Sequence, residues 1–216
     1  MVRVLVLTDS VSLPRKHQNG VIPFESTYTH KLKQRYKGQA IFYFFQMGGA
    51  TISDLYKQVN YFKAFQPDIL ILQVGIVDCA PRAFSRLEME LIRRFHLLRF
   101  TRPFINFLRK YRGLTYTSKS DFGSYITKLS SDLRVKTMYG ISIIAGTAEY
   151  EEKLPGVSKR INEFNEILKE KTAYIDISRV LVAGGVIEDH HHINEIGHQI
   201  VFELLSSRLA EWIVRE

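Results

Sequence analysis

The stretch Val2-Arg3-Val4-Leu5-Val6-Leu7-Thr8-Asp9-Ser10 decides how the chain is read. A short apolar run that ends in hydroxyl and acidic residues is the pattern of a strand buried on both faces, with polar groups at its C-terminal end. Residues 3–7 form the first such strand, and runs 40–45, 69–74, 141–145 and 173–177 share its character. Helical patterns separate them. Residues 24–36 run up to Gly38, and residues 52–65 run up to Pro67. Ile161, Phe164, Ile167 and Leu168 make one helical face, and Ile200, Val201, Leu204, Leu205, Leu209, Trp212 and Ile213 make another. This order predicts one α/β domain over residues 1–216. Its three α/β/α layers would be built on a five-stranded parallel, flavodoxin-like sheet with right-handed crossovers.

Composition narrows the classes. The chain has 216 residues, is 45% hydrophobic and 24% charged, and carries a single cysteine. That apolar content fills a core and excludes disorder of the whole. Cys79 alone can form neither an intrachain disulfide nor a cysteine zinc site. No run reaches the roughly 20 apolar residues of a membrane span, and the first residues do not read as a secretory signal. A cytoplasmic, possible membrane-peripheral protein is the expectation. The net charge is +8, and residues 82–112 hold nine Lys/Arg against Glu88 and Glu90, or +7 of it.

In an open parallel sheet, ligands gather beyond the C-terminal strand ends. Thr8-Asp9-Ser10 follows the first strand, Gly48-Gly49-Ala50-Thr51 the second, and Gly75-Ile76-Val77-Asp78 the third. Glu188-Asp189-His190-His191-His192 precedes the last helix. A serine at a strand-to-helix turn can present its hydroxyl to solvent. Acyl transfer needs that hydroxyl, a base for its proton and N–H donors for the oxyanion. Asp189 and His192, three apart in one loop, can hydrogen-bond so that the carboxylate fixes the imidazole tautomer. Gly49 has no side chain to shield its N–H. Each element has a plainer reading: Ser10 as a helix cap, the histidine tract as a metal site or solvated loop, the glycine pair as a turn.

Together these blocks resemble the SGNH/GDSL hydrolase family. Thr8-Asp9-Ser10 stands for its Gly-Asp-Ser block and Gly49 for its second block. Asp189 to His192, followed by Ile193-Asn194-Glu195-Ile196-Gly197-His198, stands for its last. The resemblance implies Ser10 as nucleophile, His192 as general base and Asp189 as its orienting carboxylate. It implies the Ser10 and Gly49 N–H groups as oxyanion donors, with no metal or other cofactor. It also implies an esterase acting on O-acyl groups, with carbohydrate O-deacetylation as the favoured case. The alternatives are an O-acyltransferase with the same residues and a non-catalytic carbohydrate- or lipid-binding protein. The third block departs from the family pattern, because Val77 replaces an asparagine whose side chain donates to the oxyanion. Two donors suffice, or Arg82 or Arg15 supplies a third, or the site only binds.

Pro14-Arg15 and Pro81-Arg82 each follow a strand-end block. Guanidinium groups there suit an anionic substrate, such as an acidic acylated sugar or a phosphate-linked glycan intermediate. Bracing of neighbouring loops is the other reading. Asp78 joins Arg15 and Arg82 in the substrate-binding set, with loop-holding as its alternative. His190 and His191 read as loop residues, His198 as a packed or capping residue, and Cys79 as a small packed one.

The insertion at about 81–134 is too long for a simple crossover. Residues 82–112 interleave apolar and basic side chains at helical spacing, and a second helix is expected over 125–133. Four readings follow: a core-facing apolar stripe with a solvated basic face, a lid over substrate, an anionic membrane contact, or nucleic acid. No binding motif accompanies the charge, which argues against nucleic acid. Oligomeric state is not readable from the sequence.

Overall fold

The computed structural model describes residues 1–213, the Arg102 side chain excepted. Its strands are β1 (Val2–Thr8), β2 (Arg15–His17), β3 (Gly20–Ile22), β4 (Ala40–Gln46), β5 (Ile69–Gln73), β6 (Thr137–Ile141) and β7 (Ala173–Ile175). Five form one parallel sheet in the order β4-β1-β5-β6-β7, the flavodoxin-like order expected. β1 lies between β4 and the central β5, paired with β4 from Val2↔Ala40 to Thr8↔Gln46 and with β5 from Val4↔Ile69 to Thr8↔Gln73. Every residue of β5 is buried, as continuous apolar runs require when helices cover both faces.

The helices are α1 (Tyr28–Arg35), α2 (Ile52–Tyr56), α3 (Val59–Lys63), α4 (Ile76–Cys79), α5 (Arg86–Arg94), α6 (Leu98–Thr101) and α7 (Ile105–Arg112). They continue with α8 (Lys119–Leu133), α9 (Ala148–Lys153), α10 (Val157–Lys171), α11 (Ser178–Val182) and α12 (Glu195–Ile213). α1 packs on α12, and α8 packs on α2, α3 and α10. The C-terminal stripe docks as its spacing predicts, with Ile200, Val201, Leu205, Leu209 and Ile213 buried.

Four local expectations change. The fourth sheet strand is Thr137–Ile141, four residues before the apolar run 141–145. Gly140 sits within it because a Cβ there would meet the Thr172 side chain, and residues 142–144 lie past the strand end. The pattern 52–65 folds as two short helices rather than one. The helix expected over 125–133 begins at Lys119, capped by Ser118, and buries Phe122, Ile126, Leu129 and Leu133 in the core. Residues 82–112 form three short helices, not one run, and only Ile92 among the residues of those helices is buried.

Candidate active site

Ser10 opens a 3-10 turn, Ser10–Ser12, directly after β1. The cap of that turn is Asp9, whose Oδ1 accepts from Val11 N at 2.9 Å. Ser10 is therefore not a helix cap, and its hydroxyl is left for other work. Its Oγ lies 2.8 Å from His192 Nε2. On the other side of the ring, His192 Nδ1 lies 2.6 Å from Asp189 Oδ2, and Asp189 Oδ1 accepts the His192 main-chain N–H at 3.0 Å. With its proton on Nδ1, the neutral ring keeps the lone pair on Nε2, facing Ser10.

The three expected triad residues thus meet in one hydrogen-bonded chain. The loop that carries two of them is closed like a hairpin. Val186 bridges Ile193, and Ile187 N donates to His192 O at 3.0 Å. His190 makes the turn with φ +67°, and its ring is held by Thr147 Oγ1 and Lys153 Nζ at 3.3 and 2.9 Å. That geometry selects His192 from the three consecutive histidines. Burial alone would raise the Asp189 carboxyl. The His192 hydrogen bonds and the two neighbouring imidazoles instead hold it well below the ordinary carboxylate range. Burial, with His192 beside it, lowers His191.

The expected oxyanion donors, the Ser10 and Gly49 N–H groups, follow β1 and β4. Met47 N donates to Thr8 O at 2.9 Å, which continues the β1–β4 ladder past the strand ends and brings the two loops together. Gly49 has φ +72°, a left-handed conformation that a side chain would strain. Among the described residues, neither the Ser10 nor the Gly49 N–H has a protein acceptor.

The third block serves as scaffold. Gly75 takes φ +130°, and a Cβ there would fall 2.5 Å from Ile143 Cδ1. Asp78 is fully buried and accepts from Ile52 N at 3.1 Å and from Thr117 Oγ1. It ties the Gly49 loop to the end of the insertion and does not line the cleft, which corrects its assignment to substrate binding. Burial pushes its carboxyl up to about 6. Arg82 is also a brace: Nη2 donates to Val77 O at 3.1 Å, and the guanidinium lies 4.4 Å from the Tyr116 ring centroid. No hydrogen bond joins it to Ser10 or His192 among the described residues. Cys79 is buried and its thiol is pushed up by that burial. His198 is packed against Tyr28, and burial lowers it to about 3.

Arg15 is different. Its Nη2 lies 2.6 Å from His192 Nε2, the atom that also faces Ser10; its buried Nε, like that of Arg82, has no acceptor among the described residues. It sits on the β2–β3 ribbon, which sequence reading missed although Asn19-Gly20 is a turn signal. His17 on this ribbon reaches Glu188 at 3.5 Å, one residue before Asp189. The ribbon is therefore tethered to the loop that holds His192.

Asp189, His191 and His192 offer donor atoms within 4.8 Å of one another, a spacing open to a metal. Both His192 nitrogens already have protein partners, so a cation there would displace Asp189, Ser10 or Arg15. Beside Gly49, a cleft of about 410 Å³ is walled by Arg86, Met89, Arg93 and Tyr116. Arg86 holds this wall in place through two hydrogen bonds to Asp54, at 3.0 and 2.7 Å.

No protein-family model matches the sequence, and no curated protein matches it significantly. Solved structures do match. A lipase/acylhydrolase from Enterococcus faecalis superposes with a TM-score of 0.69 at 12% identity, covering 99% of this chain and 97% of its own. A member of the lipolytic G-D-S-L family from Veillonella parvula DSM 2008 does so at 0.61 and 11%, covering 96% and 97%. The acetyl xylan esterase AlAXEase gives 0.62 and 17%, covering 96% and 100%. The chain has the fold of these lipases and esterases, from end to end.

Proposed function

We propose that the protein is a serine esterase that removes O-acyl groups, acetyl above all, from a carbohydrate whose alcohol portion carries an acidic group. The hydrogen-bonded chain Ser10–His192–Asp189 carries the reading. Ser10 Oγ attacks the ester carbonyl carbon as its proton passes to His192 Nε2. The carbonyl oxygen becomes an oxyanion between the Ser10 and Gly49 N–H groups. Collapse of this adduct breaks the bond to the alcohol oxygen, which leaves with the proton from Nε2. Water then gives a proton to Nε2 and attacks the acyl-enzyme, releasing the acid and restoring Ser10. Asp189 stabilises the imidazolium at each half-reaction without taking its proton.

Arg15 supports the acidic substrate. His192 Nε2 delivers its proton to the leaving oxygen, so a guanidinium against Nε2 stands beside the alcohol portion. Its unsatisfied buried Nε is a donor awaiting an acceptor, and carboxylate or phosphate fits it. That one fold neighbour is an acetyl xylan esterase favours an acetylated sugar.

Labelling with a serine-directed phosphonate tests the chemistry. Wild type should take one label, and Ser10→Ala and His192→Ala none or little. A wild type that resists labelling and hydrolyses no ester would leave only the binding-protein reading. Transfer of the acyl group to an added sugar in preference to water would instead make the protein an acyltransferase.

A further inference from the structure

The insertion is where the surface departs most from that of a soluble monomer. Leu87, Leu91 and Phe95 recur at four-residue spacing along α5 and its cap, and all three are exposed. Phe104, Phe107 and Tyr111, three and four residues apart along α7 and its cap, are also exposed, with the Phe107 and Tyr111 rings 4.4 Å apart. With the turn at 97–100, nine of the large apolar side chains exposed among the described residues fall between Leu87 and Tyr111. Of the four readings of the insertion, the core-facing stripe is the one this exposure contradicts. Monomers rarely leave so much contiguous apolar surface to water.

Charge decides what covers it. The segment's ion pairs, Arg86–Asp54 and Arg112–Glu88, leave Arg94, Arg99 and Lys110 exposed and without a carboxylate partner among the described residues. Two copies meeting through this face would bring two +7 segments together, and like-charge contact opposes that. An anionic bilayer meets both demands: aromatic and leucine side chains enter the acyl boundary while Arg and Lys stay among the headgroups. No helix among the described residues is long and apolar enough to cross a membrane, so such an association is peripheral.

We propose that the face formed by α5, the 97–100 turn and α7 docks on the surface of an anionic lipid bilayer. Met89 and Arg93, on the other side of α5 from the exposed stripe, wall the cleft beside Gly49, so the docking helix also borders the site. The proposal does not depend on the esterase reading, and its test reads binding alone.

The test is co-sedimentation of the full chain with phosphatidylcholine vesicles and with phosphatidylcholine/phosphatidylglycerol vesicles. Wild type should pellet with the anionic vesicles only, and less so as salt rises from 0.15 to 1 M and the screening length shrinks from about 8 to about 3 Å. Replacing Arg94, Arg99 and Lys110 together by Gln should weaken binding about fivefold per cation, or about a hundredfold in all. Phe107→Asp should abolish binding. All these side chains are exposed, so the melting temperature should match wild type in each variant. Equal pelleting with neutral vesicles, no pelleting with either, or a stable dimer that Phe107→Asp dissolves would each overturn the proposal.

Discussion

Replacing Arg15 by Met separates two effects that the structure superimposes. His192 Nε2 has one lone pair and two suitors, Ser10 Oγ at 2.8 Å and Arg15 Nη2 at 2.6 Å. On the esterase reading, while the guanidinium holds that lone pair, His192 is not free to take the serine proton. A hydrogen bond to a charged donor contributes about 1.5–3 kcal/mol. Releasing it should therefore raise kcat on a neutral ester by about ten- to a hundredfold. On an ester whose alcohol carries a carboxylate or phosphate, the substrate itself draws Arg15 away, and Met loses that contact. There kcat/KM should fall by a similar factor, mainly through KM. The preference for the acidic over the neutral ester should thus shrink by about a hundredfold or more, taking each arm at that magnitude. Steady-state kinetics on a matched pair of acetyl esters reads it directly. An equal fall on both esters would refute the reasoning and make Arg15 a general transition-state donor.

Three further perturbations follow from the site's supports. Asp78→Ala leaves the buried Ile52 N–H and Thr117 hydroxyl without their acceptor. It should cost about 1–3 kcal/mol or more in a urea melt, and an unchanged midpoint would remove Asp78 from the scaffold. Gly75→Ala forces a Cβ onto Ile143 at a φ that side chains avoid. It should cost about 1–3 kcal/mol, read in the same melt, and a neutral result would contradict the packing. Burial raises the Asp9 carboxyl to about 7, so between about pH 4 and 7 the folded chain keeps a proton that the unfolded chain releases. That contribution is fully present below about pH 4 and is lost as pH rises through 7. Asp9→Asn lacks it, so its stability relative to wild type should rise by about 1.4 kcal/mol per pH unit across that window. Melts at pH 5, 6 and 7 with a constant difference between the two proteins would rule this out.

The sheet and the meeting of Ser10, His192 and Asp189 were readable because each rests on a short-range pattern. Buried parallel strands leave continuous apolar runs, and polar residues cluster where those runs stop. What failed depended on contacts distant in sequence. Apolarity placed the fourth sheet strand at 141–145, but its pairing with β5 and the closeness of Thr172 to Gly140 set it at Thr137–Ile141. Asp78 and Arg82 adjoin a cleft block in sequence, yet their partners, Ile52, Thr117, Val77 and Tyr116, turn both into braces. Among His190, His191 and His192, spacing alone favours none decisively. The cross-loop bond from Ile187 to His192 and the left-handed turn at His190 make the selection. The β2–β3 ribbon left only its turn residues as a signal, and nothing local announced that Arg15 would reach His192.

Ser10 and His192 are separated by 182 positions, and on the esterase reading they are the nucleophile and its base. Ser10 directly follows β1, whereas His192 is made only after every strand of the sheet. On that reading, until the 186–193 loop closes, Ser10 is an ordinary alcohol with no base beside it. A partly folded chain is then chemically silent toward esters. Recovery of phosphonate reactivity during refolding becomes a timer for the last, longest-range step of assembly.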